Sequence, residues 1–350
     1  MYNILILGAS YGSLLGTKMA MAGHNVSLLC RDQTAALINS EGTFVRLKLR
    51  GGTEPRIIAS KDLPGRIDAV TTDTVDPTAY DMVALAMQEP QYAAPAVKAL
   101  MRRVADAKIP CLSIMNMPPL PYLKRVTALA DADLVDCFTD ASVWDGFDPG
   151  LVSLCSPDPQ AFRPPEEKAN FLHVGLPTNF KAAEFADAGH NEMLRNLEQD
   201  ILALTIEDQD VPVKLRVFDS LYVPFAKWSM LLTGNYRCVG NAGVVSIRDA
   251  VHGNIEESRA IYAYVDELVR KLGADPADQV PFEKYAKAAE NLLKPSSAAR
   301  AIDAGAERIE RVDRVVQAVG ARLGVQSDDV DRIVAIVDAR LAQNAAQKVA

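Results

Sequence analysis

Hydrophobic and polar residues alternate along the first 120 positions in a pattern that predicts strands and helices in turn. Continuous apolar runs such as residues 82–87 are typical of strands covered on both faces of a parallel sheet. The predicted elements are strands at 2–7, 25–30, 56–60, 69–72, 82–87 and 111–115, with helices at 14–22 and 95–105. This alternation predicts a mostly parallel sheet with helical crossovers.

The pattern changes in the second half of the chain. Residues 134–185 contain Gly and Pro clusters between short β-like runs at 151–155 and 171–174, which predict antiparallel strands that extend the sheet. Apolar residues then recur at helical spacing. The predicted helices lie at 192–204, 218–239, 246–272, 282–293, 301–323 and 327–343. We therefore predict an α/β fold, with a Rossmann-type sheet domain over residues 1–215 and an all-helical domain over residues 216–350.

Composition and charge narrow the class of protein. The 350 residues suffice for two hydrophobic cores, and 49% apolar with 23% charged residues is typical of a globular protein. No apolar run approaches the ~20 residues that span a bilayer, and no leader-like segment is evident, so we expect a cytoplasmic protein. The net charge of −8 argues against nucleic acid or an anionic membrane as the main partner.

Metal and hydrolase chemistry are both disfavoured. The five cysteines and four histidines are scattered without the spacing of metal ligands, so we expect no metal and reduced thiols. The letters at residues 8–12 match the Gly-x-Ser-x-Gly nucleophile elbow of hydrolases. That interpretation needs an oxyanion loop from an earlier strand, which the sequence does not supply.

The turn between the first strand and the first helix predicts an anion site. Gly8 and Gly12 bracket Ser10 and Tyr11 there, and unpaired amide groups at a helix N-terminus favour a pyrophosphate. Ser10 stands where the middle glycine of the dinucleotide fingerprint is expected. An ordinary strand–turn–helix without a nucleotide therefore remains an alternative.

The second strand ends on Arg31. An arginine at this position suits the 2′-phosphate of NADP, whereas a carboxylate suits NAD, so the neighbouring Asp32 leaves NAD open. A surface arginine without a ligand is the alternative. Asn116 follows the buried run at 111–115, at the edge of the sheet where a ligand would lie, although it is also a common residue in turns before proline.

Candidate chemistry in the second half centres on Lys227. Its neighbours in the predicted helix are largely apolar, which predicts a lysine with reduced solvation that can transfer a proton. Asn235 lies two helical turns further on, on roughly the same face. The alternative is a lysine that extends to solvent from a helix end. Ser296 and Ser297 precede a helix, where they can cap it or hold an anion.

Taken together, these stretches resemble the ketopantoate reductases, within the 6-phosphogluconate-dehydrogenase-like superfamily. The matching segments are residues 4–16, 22–31, 80–87 and 112–116, then Lys227 with Asn235, and Ser296-Ser297 opening a late helix that carries Glu310. The resemblance implies NADPH-dependent reduction of a 2-oxo acid to a 2-hydroxy acid. It also implies a nucleotide-binding sheet domain and a helical second domain.

The resemblance further implies roles for the matched residues. The cofactor-binding set is Gly8, Ser10, Tyr11, Gly12, Arg31, Gln88 and Asn116. Lys227 would be the general acid that protonates the carbonyl oxygen, and Glu310 would touch the nicotinamide ribose, with Glu307 as its rival. The substrate-binding set is Asn235, Ser296 and Ser297, of which one serine would hold the substrate carboxylate.

Five positions depart from the family pattern. Gln88 stands where a phosphate-binding lysine is expected, and Leu231 stands where a substrate-binding asparagine is expected. Met115 and Met117 flank Asn116 in place of glutamine and glycine, and Tyr236 replaces a proline after Asn235. These departures favour a larger, more apolar or differently polar carbonyl substrate over ketopantoate itself.

The leading hypothesis is an NADPH-dependent oxidoreductase that reduces a 2-oxo acid or a related carbonyl compound and forms a homodimer through its helical domain. A second hypothesis is an opine-type dehydrogenase, which reduces the imine formed by an amino acid and a 2-oxo acid. A third is a non-catalytic NADP-binding sensor protein, motivated by the departures at Gln88, Met117 and Leu231.

Overall fold

The computed structural model describes residues 1–349 and divides the chain into two compact units. The sheet unit comprises Met1–Met87, Gln91–Met115 and Ser142–Asp219, and the helical unit comprises Gln88–Pro90, Asn116–Ala141 and the chain from Ser220 onward. Two short segments from the first half of the chain therefore belong to the helical unit.

Parallel strands dominate the sheet unit. Its strands are β1 (Asn3–Leu7), β2 (Asn25–Leu29), β3 (Phe44–Lys48), β4 (Pro55–Ala59), β5 (Ile67–Val70), β6 (Met82–Leu85), β7 (Cys111–Ser113), β8 (Val152–Ser156), β9 (Gln160–Phe162), β10 (Phe171–Leu176), β11 (Phe180–Ala183), β12 (Thr205–Ile206), β13 (Gln209–Asp210) and β14 (Leu215–Phe218). Among the described residues, eight strands form one sheet in the order β14-β11-β8-β7-β6-β1-β2-β5, antiparallel only between β11 and β8. The strand order reverses between β1 and β6, the place where ligands bind in open α/β sheets.

Helices flank the sheet and then make up the rest of the chain. Over residues 1–349 they are α1 (Ala9–Met21), α2 (Asp32–Glu41), α3 (Pro95–Asp106), α4 (Leu120–Leu123), α5 (Ala188–Leu202), α6 (Ala226–Met230), α7 (Ile247–His252), α8 (Ile255–Lys271), α9 (Phe282–Ala289), α10 (Ser297–Asp303), α11 (Val312–Arg322) and α12 (Asp328–Val349). No helix in this range is both long and apolar enough to cross a bilayer. The predicted Rossmann-type α/β sheet followed by helices is confirmed.

A second sheet differs from the sequence-based expectation. In the described chain β4, β3, β10 and β9 form a separate four-stranded sheet, with β10 parallel to β3. The prediction that residues 171–174 extend the main sheet is therefore wrong, whereas β11 does extend it as an antiparallel neighbour of β8. The pairing of β3 with β10 joins segments far apart in the chain, so no local sequence pattern predicts it.

The predicted helix at 218–239 is broken into short pieces. A 3₁₀ turn at Val223–Phe225 leads into α6, which continues as a π-helical turn at Leu231–Asn235 and ends in a 3₁₀ turn at Tyr236–Cys238. Gly234 lies in the π-helical turn, where a β-carbon would collide with the hydroxyl oxygen of Tyr285. Close packing within the helical unit therefore sets the local conformation, and π-helical turns are frequent at functional sites.

The predicted helix at 301–323 is also two helices, α10 and α11. Gly305, which has φ +88°, follows the end of α10. The Tyr236 hydroxyl then fixes the connecting segment, because it donates to the Glu310 carbonyl oxygen at 2.7 Å and accepts from the Val312 amide at 2.9 Å. Glu310 thus lies before α11 rather than within a helix, and the sequence-based placement was wrong.

Candidate active site

The turn from β1 into α1 depends on Gly8. This residue has φ +112°, and a β-carbon on it would lie 2.8 Å from the Ala86 carbonyl oxygen at the end of β6. Both facts require glycine, because other residues rarely adopt this φ and the neighbouring main chain leaves no room. Gly8 thus brings the start of α1 close to the end of β6, at the reversal of strand order.

The helix begins earlier than the sequence indicated. α1 starts at Ala9, so Ser10 and Tyr11 lie in its first turn rather than in a loop, and Ser10 is exposed. The N-terminus carries no side-chain capping bond and no acidic residue in the first turn, so its amide groups remain available to an anion. The Tyr11 hydroxyl donates a hydrogen bond to the Pro159 carbonyl oxygen at 2.7 Å, so its proton is already used within the protein.

Gly12 serves helix packing in this structure. A β-carbon on Gly12 would lie 2.5 Å from Ile6 Cγ2 and 3.2 Å from Ala86 Cβ. The helix can therefore approach the sheet closely only because the residue is glycine. Arg31 lies two residues after the end of β2, where it is exposed and precedes Asp32 in the first turn of α2.

Replacing Gly8 with alanine is expected to destabilise the protein by roughly 2–4 kcal/mol, because the change combines an unfavourable φ with a collision against main chain. The matched control is Gly23→Ala: Gly23 has φ +88°, but nothing lies within 4 Å of the position that a β-carbon would take. The control should cost only about 1 kcal/mol. Urea unfolding checks both, and equal costs would contradict the argument from close approach.

A small polar cleft lies within the helical unit. Its lining combines five polar or charged residues with three apolar side chains and one tyrosine. The lining residues are Gln88, Asn116, Leu231, Asn235, Tyr236, Ser297, Ala298, Ile309 and Glu310. The water-accessible space is about 20 Å³, roughly enough for one water molecule, so a larger ligand requires the cleft to widen.

Glu310 is the buried acid of this cleft. Its side chain accepts hydrogen bonds from Asn116 Nδ2 at 3.1 Å and from the Glu89 amide at 3.4 Å. Burial raises the pKa of Glu310 to about 7, and the positive charge of Lys227 opposes part of that rise. A carboxyl group with this pKa can hold or release a proton near neutral pH.

The predicted site residues of the helical unit separate into two groups. Asn116, Asn235, Ser297 and Gln88 line the cleft with Glu310. The Asn116 Oδ1 atom is buried and has no hydrogen-bond partner within residues 1–349, which makes it an acceptor available to a ligand. Lys227 is half-buried on α6 and acts electrostatically on Glu310 without lining the cleft.

Two candidates are engaged elsewhere. The Ser296 hydroxyl donates to the Asn235 carbonyl at 2.7 Å and caps α10 by accepting from the Ala299 amide, so it is a structural residue in this conformation. Glu307, the rival of Glu310, pairs with Lys348 at 2.7 Å. Of each pair of alternatives, the structure thus places Ser297 and Glu310 at the cleft.

Sequence reasoning missed Glu89 and Thr139. The Glu89 carboxylate accepts from the Thr139 amide at 2.9 Å and from the Thr139 hydroxyl at 2.8 Å. An acidic residue shortly after a fully buried parallel strand is the signal that could have revealed it. Within the described chain, no group of three His, Cys, Asp or Glu side chains has the arrangement of a metal site.

Comparison with known proteins defines the fold first. The chain has the fold of a group of solved oxidoreductases, most of them ketopantoate (2-dehydropantoate 2-) reductases. The 2-dehydropantoate 2-reductase of Methylococcus capsulatus has a TM-score of 0.70 at 14% identity, over 98% of this chain and 97% of that one. The Geobacter metallireducens enzyme has a TM-score of 0.69 at 16% identity, over 96% and 99%.

A D-mandelate dehydrogenase, solved with NADH and anilino(oxo)acetate, shares the same fold. Its TM-score is 0.64 at 14% identity, over 98% of this chain and 99% of that one. No family model matches the chain, and no curated protein matches its sequence. The predicted resemblance to ketopantoate reductases is therefore confirmed for the fold, at low sequence identity.

Proposed function

We propose that this protein is an NADPH-dependent reductase that converts a 2-oxo acid or a related carbonyl compound to the 2-hydroxy product. The observation that carries the proposal is the cleft: a buried glutamate of raised pKa, an amide oxygen without a partner and a serine hydroxyl lie together, with the charge of Lys227 acting on the glutamate. The fold shared with 2-dehydropantoate 2-reductases and D-mandelate dehydrogenase supports it.

The residues present fit a dinucleotide on several independent grounds. The uncapped first turn of α1, opened by Gly8, would hold the pyrophosphate, and the exposed Arg31 guanidinium would bind a 2′-phosphate. The Asn116 oxygen would accept a hydrogen bond from a ribose hydroxyl. When bound, a nicotinamide cofactor supplies the hydride for the reduction.

The chain's own residues would then supply the proton and the orientation. Lys227 would protonate the carbonyl oxygen as negative charge develops there. Ser297 and Asn235 would hold the substrate carboxylate by hydrogen bonds, and Glu310 would hold the ligand beside Asn116. The apolar side chains of Leu231 and Ile309 favour a substrate with an apolar group next to its carbonyl.

A screen of turnover with NADPH and NADH against varied 2-oxo acids tests this function. We expect reduction of 2-oxo acids with apolar side chains. A requirement for an amine together with the 2-oxo acid would favour an opine-type dehydrogenase. Tight NADPH binding with no turnover across the panel would favour a sensor protein and would refute the reductase.

The choice of NADPH depends on Arg31, and NADH is the second candidate. Asp32 next to Arg31 and the presence of NADH in the D-mandelate dehydrogenase structure are the observations that favour NADH. Arg31→Ala is expected to weaken NADPH binding about 10–100-fold, because charge-assisted hydrogen bonds to the 2′-phosphate are lost, and to leave NADH binding nearly unchanged.

Isothermal titration calorimetry with both dinucleotides measures this effect. Arg50→Ala is the matched control, since Arg50 is also an exposed arginine of the sheet unit, with 82% of its side chain accessible. The control should bind both dinucleotides like the parent protein. An equal loss for NADPH and NADH in Arg31→Ala would contradict selection through the 2′-phosphate.

A further inference from the structure

The helical unit contains two buried glutamates in direct contact, Glu310, which lines the cleft, and Glu89, which does not. Glu89 is 3% exposed and Glu310 is 9% exposed. The Glu89 main-chain amide donates to Glu310 Oε1 at 3.4 Å. Glu89 therefore contacts the carboxyl group of the cleft glutamate through its main chain, at the start of a turn that follows the buried strand β6.

The side chain of Glu89 is fixed in one orientation. Thr139 binds both carboxylate oxygens, one through its amide and the other through its hydroxyl, and the Asp140 main chain adds a further hydrogen bond. These bonds favour the ionised form, and the charge of Arg308 does the same. Burial acts in the opposite direction and raises the pKa of Glu89.

The charged groups around Glu310 are few. Lys227 on α6 is the cation that acts on Glu310, and Glu89 is the second carboxyl beside it. The adjacent Arg311 forms ion pairs with Asp313 and Asp338, so its charge is already compensated. Burial and the charge of Glu89 therefore favour the protonated form of Glu310, whereas the hydrogen bonds from Asn116 and the Glu89 amide and the charge of Lys227 favour the ionised form.

We propose that Glu89 is a positioning residue, which orients the Glu310 carboxyl group through its main-chain amide, while its own buried carboxyl group, held by Thr139, opposes ionisation of Glu310. The inference rests on the proposed function in one respect, namely that a protonated Glu310 serves to bind a ligand in the cleft. A protonated Glu310 can donate a hydrogen bond to a bound ligand, which an ionised Glu310 cannot do.

Direct titration of Glu310 in the full-length protein tests the inference without any assumption about activity. The measurement is carbon-13 NMR of labelled glutamate carboxyl groups, with Glu310→Gln used to assign the signal. In Glu89→Gln the neighbouring negative charge is lost, so the Glu310 midpoint should fall by roughly one pH unit. An unchanged midpoint would overturn the proposal.

Two further variants keep the test decisive. Glu256→Gln removes one exposed glutamate of the same unit and should leave the Glu310 midpoint unchanged, which controls for net charge. Thr139→Val removes the hydroxyl bond to Glu89 and makes Glu89 less ionised. Thr139→Val should therefore lower the Glu310 midpoint by a smaller amount than Glu89→Gln does. It replaces Glu89→Gln if that variant fails to fold. An unchanged midpoint in Thr139→Val would also overturn the proposal.

The pH profile of kcat/KM separates this inference from the proposed function. Where 2-oxo acids are reduced, the limb of the profile that reports Glu310 should move to lower pH in Glu89→Gln, by the same amount as the NMR midpoint. A shifted midpoint in a protein that reduces nothing would refute the proposed function alone. Turnover with the same midpoint and the same profile in both proteins would refute the role of Glu89 alone.

Discussion

Replacing Lys227 with alanine should lower kcat by roughly 10²–10⁴-fold, the range typical for the loss of a general acid. Lys227 is half-buried on α6, and its charge acts on Glu310. Hydride addition places negative charge on the carbonyl oxygen. Without a proton donor this charge is not neutralised in the transition state, so the barrier is higher. Steady-state turnover with the best substrate from the screen measures the effect.

Two variants separate proton transfer from charge. Lys227→Arg keeps the positive charge but cannot release a proton near neutral pH, so it should lose nearly as much activity as Lys227→Ala. Lys271→Ala changes a lysine in the last turn of α8 and should keep full turnover. High activity in Lys227→Arg would assign Lys227 an electrostatic role, and near-normal turnover in Lys227→Ala would remove it from the mechanism.

Local patterns in the sequence predicted much of the fold. The order β1–α1–β2 and the buried strands β6 and β7 follow from apolar runs bounded by turn residues, which report burial directly. Helical spacing likewise predicted α12. Boundaries were less predictable: α1 begins at Ala9 because only Gly8 forms the turn, whereas Gly12 is needed for packing and not for loop conformation.

The arrangement of the site depends on long-range contacts that no local pattern encodes. The segment that carries Glu310 leaves helical conformation because the Tyr236 hydroxyl binds its main chain at two points. Glu89 is followed directly by a proline in the sequence, which is typical of an exposed turn, yet the side chain is buried and Thr139 binds its carboxylate. Residue types identified Asn116 and Lys227 as candidates, but only the fold shows that Asn116 donates a hydrogen bond to Glu310.

A buried lysine in the sheet unit has a consequence for stability. Lys18 on α1 is fully buried, and its ammonium donates to the Pro212 carbonyl oxygen at 2.5 Å. Burial, together with the positive charge of Lys214, lowers the pKa of Lys18 to about 7, while Asp210 acts in the opposite direction. The helical spacing of apolar residues does not indicate that a lysine occupies this position in the core.

The direction in which stability changes with pH follows from the protonation of Lys18 in the folded and unfolded chain. The unfolded chain keeps Lys18 protonated up to about pH 10, whereas the folded protein releases the proton near pH 7. Between these values the unfolded state binds more protons, so the free energy of unfolding should rise with pH. The lowered pKa corresponds to a cost of about 4 kcal/mol at pH 7 that disappears toward pH 10.

Lys18→Met should therefore stabilise the protein at pH 7 by roughly 2–3 kcal/mol, because the cost of burying the amine exceeds the hydrogen bond that is lost to Pro212. Above pH 10 the same substitution should be neutral or slightly destabilising, since the neutral amine still donates to that carbonyl. Urea unfolding at intervals from pH 6 to pH 10 measures both effects.

Lys271→Met, a change on the last turn of α8, is the control and should keep the parent slope. A parent protein whose stability is flat over this range would contradict the argument, because a lysine buried with a lowered pKa must release its proton earlier in the folded state than in the unfolded chain.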